Sequence, residues 1–295
     1  MVGPFGFELG ILNFVWILVF GFWICGKEQS PMSPCSRPSP DLTTIYNLLH
    51  AAFGPQHWWP AATPFEVMTG AILTQNAAWP NVERAIANLK RARKLTPKAI
   101  LALSDRELQR LIKPSGFFRV KAKRLRSFVD YFTTRYQGSI ARMQREPLAR
   151  LRPELLRVHG IGPETADSIL LYALNQPSFV IDAYTRRILE RHGLTTRKAR
   201  YDDVRAVFEN RLPHRVRLFN EYHALFVRLA KTHCRPKPRC AGCPLSAYRQ
   251  DGAHPPIPLI RKLTAEGAEN AEAKELRLSA QGRRLSNSRA WPLDH

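Results

Sequence analysis

The chain has 295 residues, and its 45 Lys and Arg against 24 Asp and Glu give a net charge of +21 and a pI of about 10.4. That length supports a full hydrophobic core and two subdomains. The five cysteines are odd in number and three lie within 234–243, which argues against a disulfide framework and favours a metal or cluster site. Because 1–31 and 251–295 are nearly neutral, the basic excess lies in 32–250. It indicates a polyanionic partner or a solvated basic surface.

The N-terminal segment 5–25 is almost wholly apolar and long enough to span a bilayer. It has neither the positive flank of a signal peptide nor a small-residue cleavage site. One interpretation is a membrane anchor. The other, which we favour, is translated upstream sequence with Met32 as the true start, because a Ser/Pro-rich leader and then a globular helix follow Met32. On either interpretation, residues 1–40 stand apart from the folded core.

From residue 41 onward the apolar residues recur with helical spacing and the connections are short, which predicts an all-α fold. The predicted helices are 43–53, 65–73, 80–90, 97–103, 104–112, 119–136, 147–158, 163–174, 183–192, 200–210 and 216–232. The folded core is predicted at 41–233, followed by a cysteine-rich loop at 234–250. Residues 251–295 have too few apolar side chains to bury, and we expect them to be disordered.

A hairpin between two predicted helices is the most informative motif in the chain. It reads HGIGPETAD from His159 onward, with Gly160 and Gly162 around one apolar residue and Pro163 at a favourable first helical position. Such a tight turn points backbone N–H groups outward together, and the following helix adds the positive end of its dipole. That combination binds phosphate. The plainer interpretation is that the two glycines only close a turn.

A carboxylate follows the hairpin. Asp182 lies twenty residues after Gly162, directly behind the apolar run 179–181, and it begins another predicted helix. This position lies beside an apolar wall and one element away from the phosphate-binding turn. The plainer interpretation of Asp182 is a helix N-cap.

Helix, HGIG, Pro, helix and Asp occur here in the order and spacing of the helix-hairpin-helix DNA glycosylases of the endonuclease III superfamily, which the chain resembles over 41–248. The resemblance implies a two-subdomain, all-α fold and a base excision repair enzyme that acts on double-stranded DNA. It also implies a monomer without an obligate protein partner, located in the cytoplasm with the nucleoid. In the family's pattern, His159, Gly160 and Gly162 contact DNA and Asp182 is the essential catalytic group.

The stretch AILTQNAAWPNVERAIANLK, residues 71–90, is similar to the family segment that carries a polar residue into the duplex from the minor groove. By this resemblance the inserted residue is Gln75. The physical need is that an enzyme acting on a base rotates it out of the stack, and a side chain must fill the gap. The alternative is a loop or helix-capping amide.

The stretch SGFFRVKAKRLRSF, residues 115–128, also matches the family and is strongly basic. Two interpretations of its cations remain open, phosphate contacts or a solvated basic face. They apply to Lys121, Lys123, Arg124 and Arg126.

Two adjacent indoles, Trp58 and Trp59, precede the segment of Gln75. They resemble the base pocket of the family branch that removes alkylated purines such as 3-methyladenine. An alkylated purine is cationic and gains cation–π energy when it stacks on electron-rich rings. The alternative is that one or both tryptophans pack in the core.

One departure from the family pattern bears on the chemistry. Bifunctional members carry a lysine two residues after the second glycine of the hairpin, and its amine forms a Schiff base with C1′. This chain has Glu164 there, and a carboxylate cannot form an imine. The sequence therefore predicts a monofunctional glycosylase in which Asp182 stabilises the oxocarbenium-like transition state and orients or deprotonates water. Glu164 either lines the pocket or is a first-turn carboxylate that the helix dipole favours.

Two further function classes stay open. One is a bifunctional endonuclease III-type glycosylase and AP lyase for oxidised pyrimidines, against which the missing lysine argues. The other is a non-catalytic DNA-binding protein that keeps the hairpin for phosphate contact only. A binding module needs no carboxylate near DNA, so Asp182 favours an enzyme.

The cysteine-rich loop is the second departure. The family spaces four cysteines as C-x6-C-x2-C-x5-C, whereas this chain has Cys234, Cys240 and Cys243, with Arg249 in the fourth position. A 4Fe–4S cluster normally takes four thiolates. A cluster with an outside ligand, zinc on the three thiolates plus His233, and three unmetallated thiols all remain open.

Overall fold

The computed structural model describes residues 40–59 and 61–248. The expectations for the apolar segment 5–25, for Met32 and for the tail 251–295 lie outside the described residues. Among the residues that the structure describes, no helix is both long and apolar enough to cross a membrane.

Twelve α-helices make up most of the described chain, which contains no β-strand. In chain order they are α1 Leu42–Phe53, α2 Pro64–Leu73, α3 Trp79–Arg91, α4 Pro97–Ala102, α5 Asp105–Ile112, α6 Phe118–Tyr136, α7 Ile140–Gln144, α8 Leu148–Arg157, α9 Pro163–Ser168, α10 Ala183–Arg191, α11 Tyr201–Arg211 and α12 Val216–Thr232. Short 3-10 turns lie at Lys113–Ser115 and Ser246–Tyr248, and a π-helical turn lies at Ile169–Ala173. The predicted all-α class is confirmed.

Local capping explains where several helices begin. The carboxylate of Asp41 accepts a hydrogen bond of 2.8 Å from the backbone N–H of Thr44 at the start of α1. At the start of α5, Ser104 and Glu107 form a reciprocal capping box. A side-chain cap of this kind contributes about 1 kcal/mol to helix stability. These short polar signals are local in sequence, which is why the predicted helix boundaries lie close to the observed ones.

Two hydrophobic cores divide the helices. The first is built by α2 to α9 with the π-helical turn, and it buries Met68 and Phe132 completely. The second joins α1 to α10, α11 and α12. The Tyr222 hydroxyl on α12 donates a hydrogen bond of 2.8 Å to the carbonyl of Leu42, so the first and last long helices are tied together. The described helices thus pack around two cores that meet at the π-helical turn, which contributes Leu170 to the first and Leu171 to the second.

The segment that precedes Asp182 is anchored by an aromatic cluster in the second core. The ring of Phe179 stacks on Phe208, with centroids 4.0 Å apart and an interplanar angle of 11°. It also meets Phe219 and Tyr222 edge-on. Full burial of a phenylalanine contributes roughly 2–3 kcal/mol. The backbone that carries Asp182 is therefore held by packing rather than left as a loose loop.

Two local predictions are corrected. The helix predicted over 163–174 is not uniform, because α9 ends at Ser168 and continues as the π-helical turn, where the N–H of Leu174 bonds the carbonyl of Ile169 five residues earlier. The apolar pattern does not distinguish such an insertion from a regular helix. The short helix α7 was not predicted, and the Ser139 hydroxyl caps it. π-helical insertions are frequent at functional sites.

Candidate active site

The hairpin between α8 and α9 has the tight geometry that its sequence predicts. Gly160 has φ +82°, and a Cβ there would lie 2.1 Å from Cγ of Arg124. Gly162, in contrast, has φ −91°, and no atom lies within 4 Å of the position its Cβ would take. His159 is exposed. The fold therefore requires glycine at 160, whereas nothing in the described chain requires it at 162.

Gln75 lies against this hairpin. Its side-chain amide donates hydrogen bonds of 3.0 Å to the carbonyl of Gly160 and 3.0 Å to the hydroxyl of Thr165. Its carbonyl oxygen accepts a bond of 2.5 Å from the Arg124 guanidinium. The structure thus brings the predicted inserting residue and the predicted phosphate-binding turn together. It also shows Gln75 fully engaged with the protein.

The basic segment of α6 does not behave as one surface. Lys121 is 1% exposed, and its ammonium donates to the carbonyls of Leu73 and Ser115, at 2.8 Å and 2.6 Å. Burial, and then the nearby Arg124, lowers the pKa of Lys121 to about 8. Both predicted interpretations are wrong for Lys121, because its charge is used to join two loops inside the fold.

Arg126 and Phe117 of the same segment have different environments. Arg126 bonds the carbonyls of Leu101 and Leu103 and forms an ion pair with Asp105, so it too serves the fold. Phe117 is 71% exposed at the start of α6, a large apolar side chain in solvent that sequence reasoning did not single out. Its only sequence signal is the pair of phenylalanines in SGFF.

Asp182 is the N-cap of α10 and has a second neighbour across the fold. One carboxylate oxygen accepts a hydrogen bond of 2.7 Å from the N–H of Thr185, and the other lies 3.6 Å from Nε2 of His223 on α12. Burial acts to raise the pKa of Asp182, but His223 and Thr185 outweigh it and hold the pKa below its ordinary value. Asp182 is therefore an ionised carboxylate in a partly enclosed site.

His223 and Tyr172 were not predicted from the sequence. The Tyr172 hydroxyl lies 2.5 Å from Nδ1 of His223, so Tyr172, His223 and Asp182 form a continuous polar chain. Tyr172 belongs to the π-helical turn, and His223 lies on the buried face of α12. The sequence contained only a histidine at a helical core position, which gives no indication of its partners.

Glu164 occupies the first turn of α9 on the same side as Asp182. Its side chain is exposed at the protein surface, and nearby protein atoms reduce the hydration of its carboxylate. Burial, followed by the charge of Asp182, raises the pKa of Glu164 to about 7, against smaller opposing effects of His223 and Arg186. The pKa of Asp182 is thus held below its ordinary value and the pKa of Glu164 above it.

Trp58 and Trp59 are partly buried and pack in an aromatic group with Trp79. The Trp59 ring lies 5.1 Å from Trp79 and 5.2 Å from Tyr172, measured between centroids. Trp58 lies edge-on to Trp59 and carries the ammonium of Lys231 5.6 Å from its ring. The two tryptophans pack against other aromatic rings and are still partly exposed, so both interpretations, core packing and a base pocket, stay open. Through Tyr172, Trp59 is connected to the polar chain that ends at Asp182.

Two sequence comparisons decide the family of the chain. The profile of the HhH-GPD superfamily base excision DNA repair proteins matches residues 69–214. A protein of Methanocaldococcus jannaschii provisionally named as a DNA repair glycosylase, MJ1434, is 46% identical over 206 residues, which cover 69% of this chain and 93% of that protein. The chain belongs to the HhH-GPD superfamily of base excision DNA repair glycosylases.

Other relatives and solved structures agree. Endonuclease III of Bacillus subtilis is 27% identical over 192 residues, which are 65% of this glycosylase and 83% of that protein. The crystal structure of H. pylori 3-methyladenine DNA glycosylase (MagIII) bound to 1,N6-ethenoadenine has a TM-score of 0.57 and 29% identity, and the match covers 65% of this chain and 98% of that one. The structure of a non-covalent endonuclease III–DNA complex is 23% identical and has a TM-score of 0.60, and the match covers 70% of this chain and 93% of that one. The two proteins share the same fold. Homologues of the glycosylase bind DNA.

The cysteine-rich loop of the glycosylase is held by arginines. Arg191 donates to Sγ of Cys234 at 3.4 Å and to the carbonyls of Arg235 and Pro236, while Arg187 donates to the carbonyl of Cys234. Arg187 and Arg191, which both extend from α10, are called the arginine clamp below. The clamp satisfies backbone groups that would otherwise need another partner.

The described residues do not fit a four-ligand metal centre. Within them, no group of three or more His, Cys, Asp or Glu side chains is arranged to hold an ion. Burial raises the pKa of the Cys243 thiol, against an opposing hydrogen bond at the backbone of Leu245. Nδ1 of His233 faces the carbonyl of Arg239 at 3.2 Å. Arg249, the fourth position, lies outside the described chain.

Proposed function

We propose that this glycosylase is monofunctional and hydrolyses the N-glycosidic bond of an alkylated purine that it has rotated out of duplex DNA. The observation that carries the proposal is a pair of carboxylates, Glu164 in the first turn of α9 and Asp182 at the start of α10. Glu164 stands where an imine-forming amine is needed for strand cleavage, and Asp182 is ionised beside it.

Asp182 supplies the chemistry. Breaking the bond between base and sugar builds positive charge on the sugar ring, and a nearby carboxylate stabilises that charge most strongly in the transition state. The same carboxylate orients or deprotonates the attacking water. Because His223 and Thr185 keep the pKa of Asp182 low, it carries its negative charge at neutral pH.

Glu164 excludes the covalent route. A lyase needs an amine that attacks C1′ and forms an imine, and a carboxylate has no nitrogen to do so. Lys121 of the basic segment is buried and donates to two backbone carbonyls. The product is therefore an intact strand with an abasic site.

The hairpin provides the DNA contact. Gly162 leaves open space beside the backbone N–H groups at the start of α9, and a phosphate can approach it without meeting a side chain. Gln75 is poised at the same place, and to enter the duplex it exchanges its bonds to Gly160, Thr165 and Arg124 for contacts with bases.

The aromatic group supports an alkylated purine as substrate. Trp58, Trp59 and Trp79 form a group of electron-rich rings that contacts Tyr172 through Trp59, and a cationic purine gains energy from stacking on such rings. A cationic purine is also an activated leaving group. The similarity to a 3-methyladenine DNA glycosylase bound to 1,N6-ethenoadenine points to the same class of base.

The test is a panel of duplexes that each carry one damaged base, assayed for base release and separately for strand cleavage. We expect release of alkylated purines, no strand cleavage without added alkali, and no covalent complex on borohydride treatment. Asp182→Asn should lose release and keep binding to damaged DNA. Efficient borohydride trapping, or preferred release of oxidised pyrimidines, would contradict the proposal, and so would an active Asp182→Asn variant.

A further inference from the structure

We propose that His223, oriented by Tyr172, is a positioning residue that sets the rotation and ionisation of the Asp182 carboxylate. The inference rests on the proposed catalytic role of Asp182. His223 itself does not touch the reacting atoms in this assignment. It acts on the carboxylate from the protein side.

The two neighbours of His223 bear on which of its ring nitrogens carries the hydrogen. A neutral histidine has one N–H, and the other ring nitrogen is an acceptor. The Tyr172 hydroxyl lies 2.5 Å from Nδ1. In the arrangement that we propose, it donates to that nitrogen and the ring N–H is on Nε2. Nε2 lies 3.6 Å from the Asp182 oxygen and has no hydrogen-bond partner among the described residues. In this tautomer the Nε2–H lies on the side of the ring that is nearest to the carboxylate.

The distance fits a site that tightens when DNA binds. At 3.6 Å the two groups are within ion-pair range, and a shortening of roughly half an ångström gives an ordinary N–H···O hydrogen bond. Hydrogen bonds of catalytic groups are often long in the free enzyme and close in the complex. Two bonds, one from Thr185 and one from His223, would then hold both carboxylate oxygens of Asp182 in place.

Asp182 needs this neighbour because of the charges around it. Burial disfavours the ionised form of Asp182. The negative charge of Asp182 in turn raises the pKa of Glu164 on α9. The charges of Asp182 and Glu221 raise the pKa of Tyr172, and Arg186 of α10 lowers the pKa of Glu164. Among these groups His223 is the largest influence that favours the charged Asp182, ahead of the Thr185 bonds. Its removal should therefore raise the pKa of the carboxylate.

The experiment compares His223→Phe, His223→Gln, Tyr172→Phe and Asp182→Asn with the wild type under single-turnover conditions. Phenylalanine keeps the ring volume and removes the donor, whereas glutamine keeps an N–H close to the position of Nε2. We expect His223→Phe to lower the rate of base release by about 10²-fold, the scale expected for a misplaced catalytic group. Binding to abasic-site DNA should stay within about twofold, and His223→Gln should recover much of the rate.

The pH profile separates positioning from a structural role. The rate falls at low pH as Asp182 becomes protonated, and in His223→Phe this acid limb should move to higher pH because the pKa of Asp182 rises. Tyr172→Phe should move it in the same direction by less. The matched control is His192→Phe, which removes another buried histidine, bonded to the carbonyl of Tyr248 outside the site, and should leave the acid limb unchanged.

The outcomes distinguish the positioning role of His223 from the proposed function. A wild-type rate and acid limb in His223→Phe, with Asp182→Asn inactive, would overturn the positioning role and leave the proposed function standing. An active Asp182→Asn would overturn both. If His223→Phe does not fold, Tyr172→Phe decides, because it removes one hydroxyl and keeps the ring that packs on Trp59. An unchanged profile in that variant would contradict the proposal.

Discussion

The two hairpin glycines have different physical reasons to be glycine. At Gly160 the backbone is left-handed and Arg124 occupies the space of a side chain. At Gly162 the backbone is ordinary and no atom of the described chain occupies the space of a side chain, so the described fold gives no reason for glycine there. A glycine of the second kind marks a surface to which another molecule's backbone or phosphate comes close.

This difference predicts opposite behaviour of two alanine variants. Gly160→Ala should destabilise the fold by about 1–3 kcal/mol, because it combines a positive φ with displacement of Arg124 from Gln75. Gly162→Ala should keep or slightly raise the melting temperature, yet weaken DNA binding. Thermal melts and binding titrations on one duplex measure both effects. Wild-type DNA affinity in Gly162→Ala would contradict the assignment of the hairpin as a phosphate contact.

Some site residues are evident from the sequence around them and others are not. Asp182 and the two glycines were singled out because the residues that mark them lie next to them in the chain, namely a turn, a helix start and an apolar run. His223 and Tyr172 were missed because their roles come from a contact between residues 51 positions apart. The location of Gln75 was predicted from its segment, but its bond to Gly160, 85 residues away, was not.

At the scale of elements, local periodicity predicted most helices and failed where the backbone departs from regularity. Boundaries agree within a residue or two because caps such as Ser104 and Glu107 are local. The π-helical turn after Ser168 was not predictable, since one extra backbone position inside a buried helix leaves the apolar pattern intact. That turn carries Tyr172, so the least predictable element supplies part of the site.

The cysteine-rich loop gives a prediction of its own. The arginine clamp bonds the backbone of the loop, and Leu245 is buried beneath it, so we expect the loop to fold without a metal. Protein purified in air should be nearly colourless, contain far less iron than a full 4Fe–4S cluster requires, and release base. A stable cluster at about four iron and four sulfide per chain would show that the loop recruits a further ligand.

A variant tests the clamp directly. Arg191→Ala removes charged hydrogen bonds to the loop and should lower the free energy of unfolding by about 1–3 kcal/mol. Arg197→Ala, the loss of an exposed arginine beyond the end of α10, is the matched control and should change it by less than about 0.5 kcal/mol. Equal stability of both variants would mean that packing alone holds the loop.

For the whole molecule, the net charge of +21 predicts strongly salt-dependent DNA binding. Each neutralised phosphate releases counterions, so a plot of log affinity against log salt should be steep. Lys123→Ala, exposed one position before Arg124, should reduce the slope by about 1. Lys98→Ala is the control and should leave the slope unchanged. Its neighbour Pro97 lies near Gly138, just beyond the C-terminal end of α6, whereas Arg124 contacts the hairpin roughly 20 Å away along the same helix. A flat salt dependence would separate the charge from DNA binding.

The bond between Leu42 and Tyr222 joins residues 180 positions apart and has a consequence for synthesis. Helix α1 leaves the ribosome first but packs against α12, which leaves it late. At typical elongation rates α1 waits roughly 10 to 40 s for this partner. The first core is encoded entirely between them, so it can close as a nascent unit while the apolar face of α1 is still uncovered. We therefore expect the first core to form before α1 packs on α12.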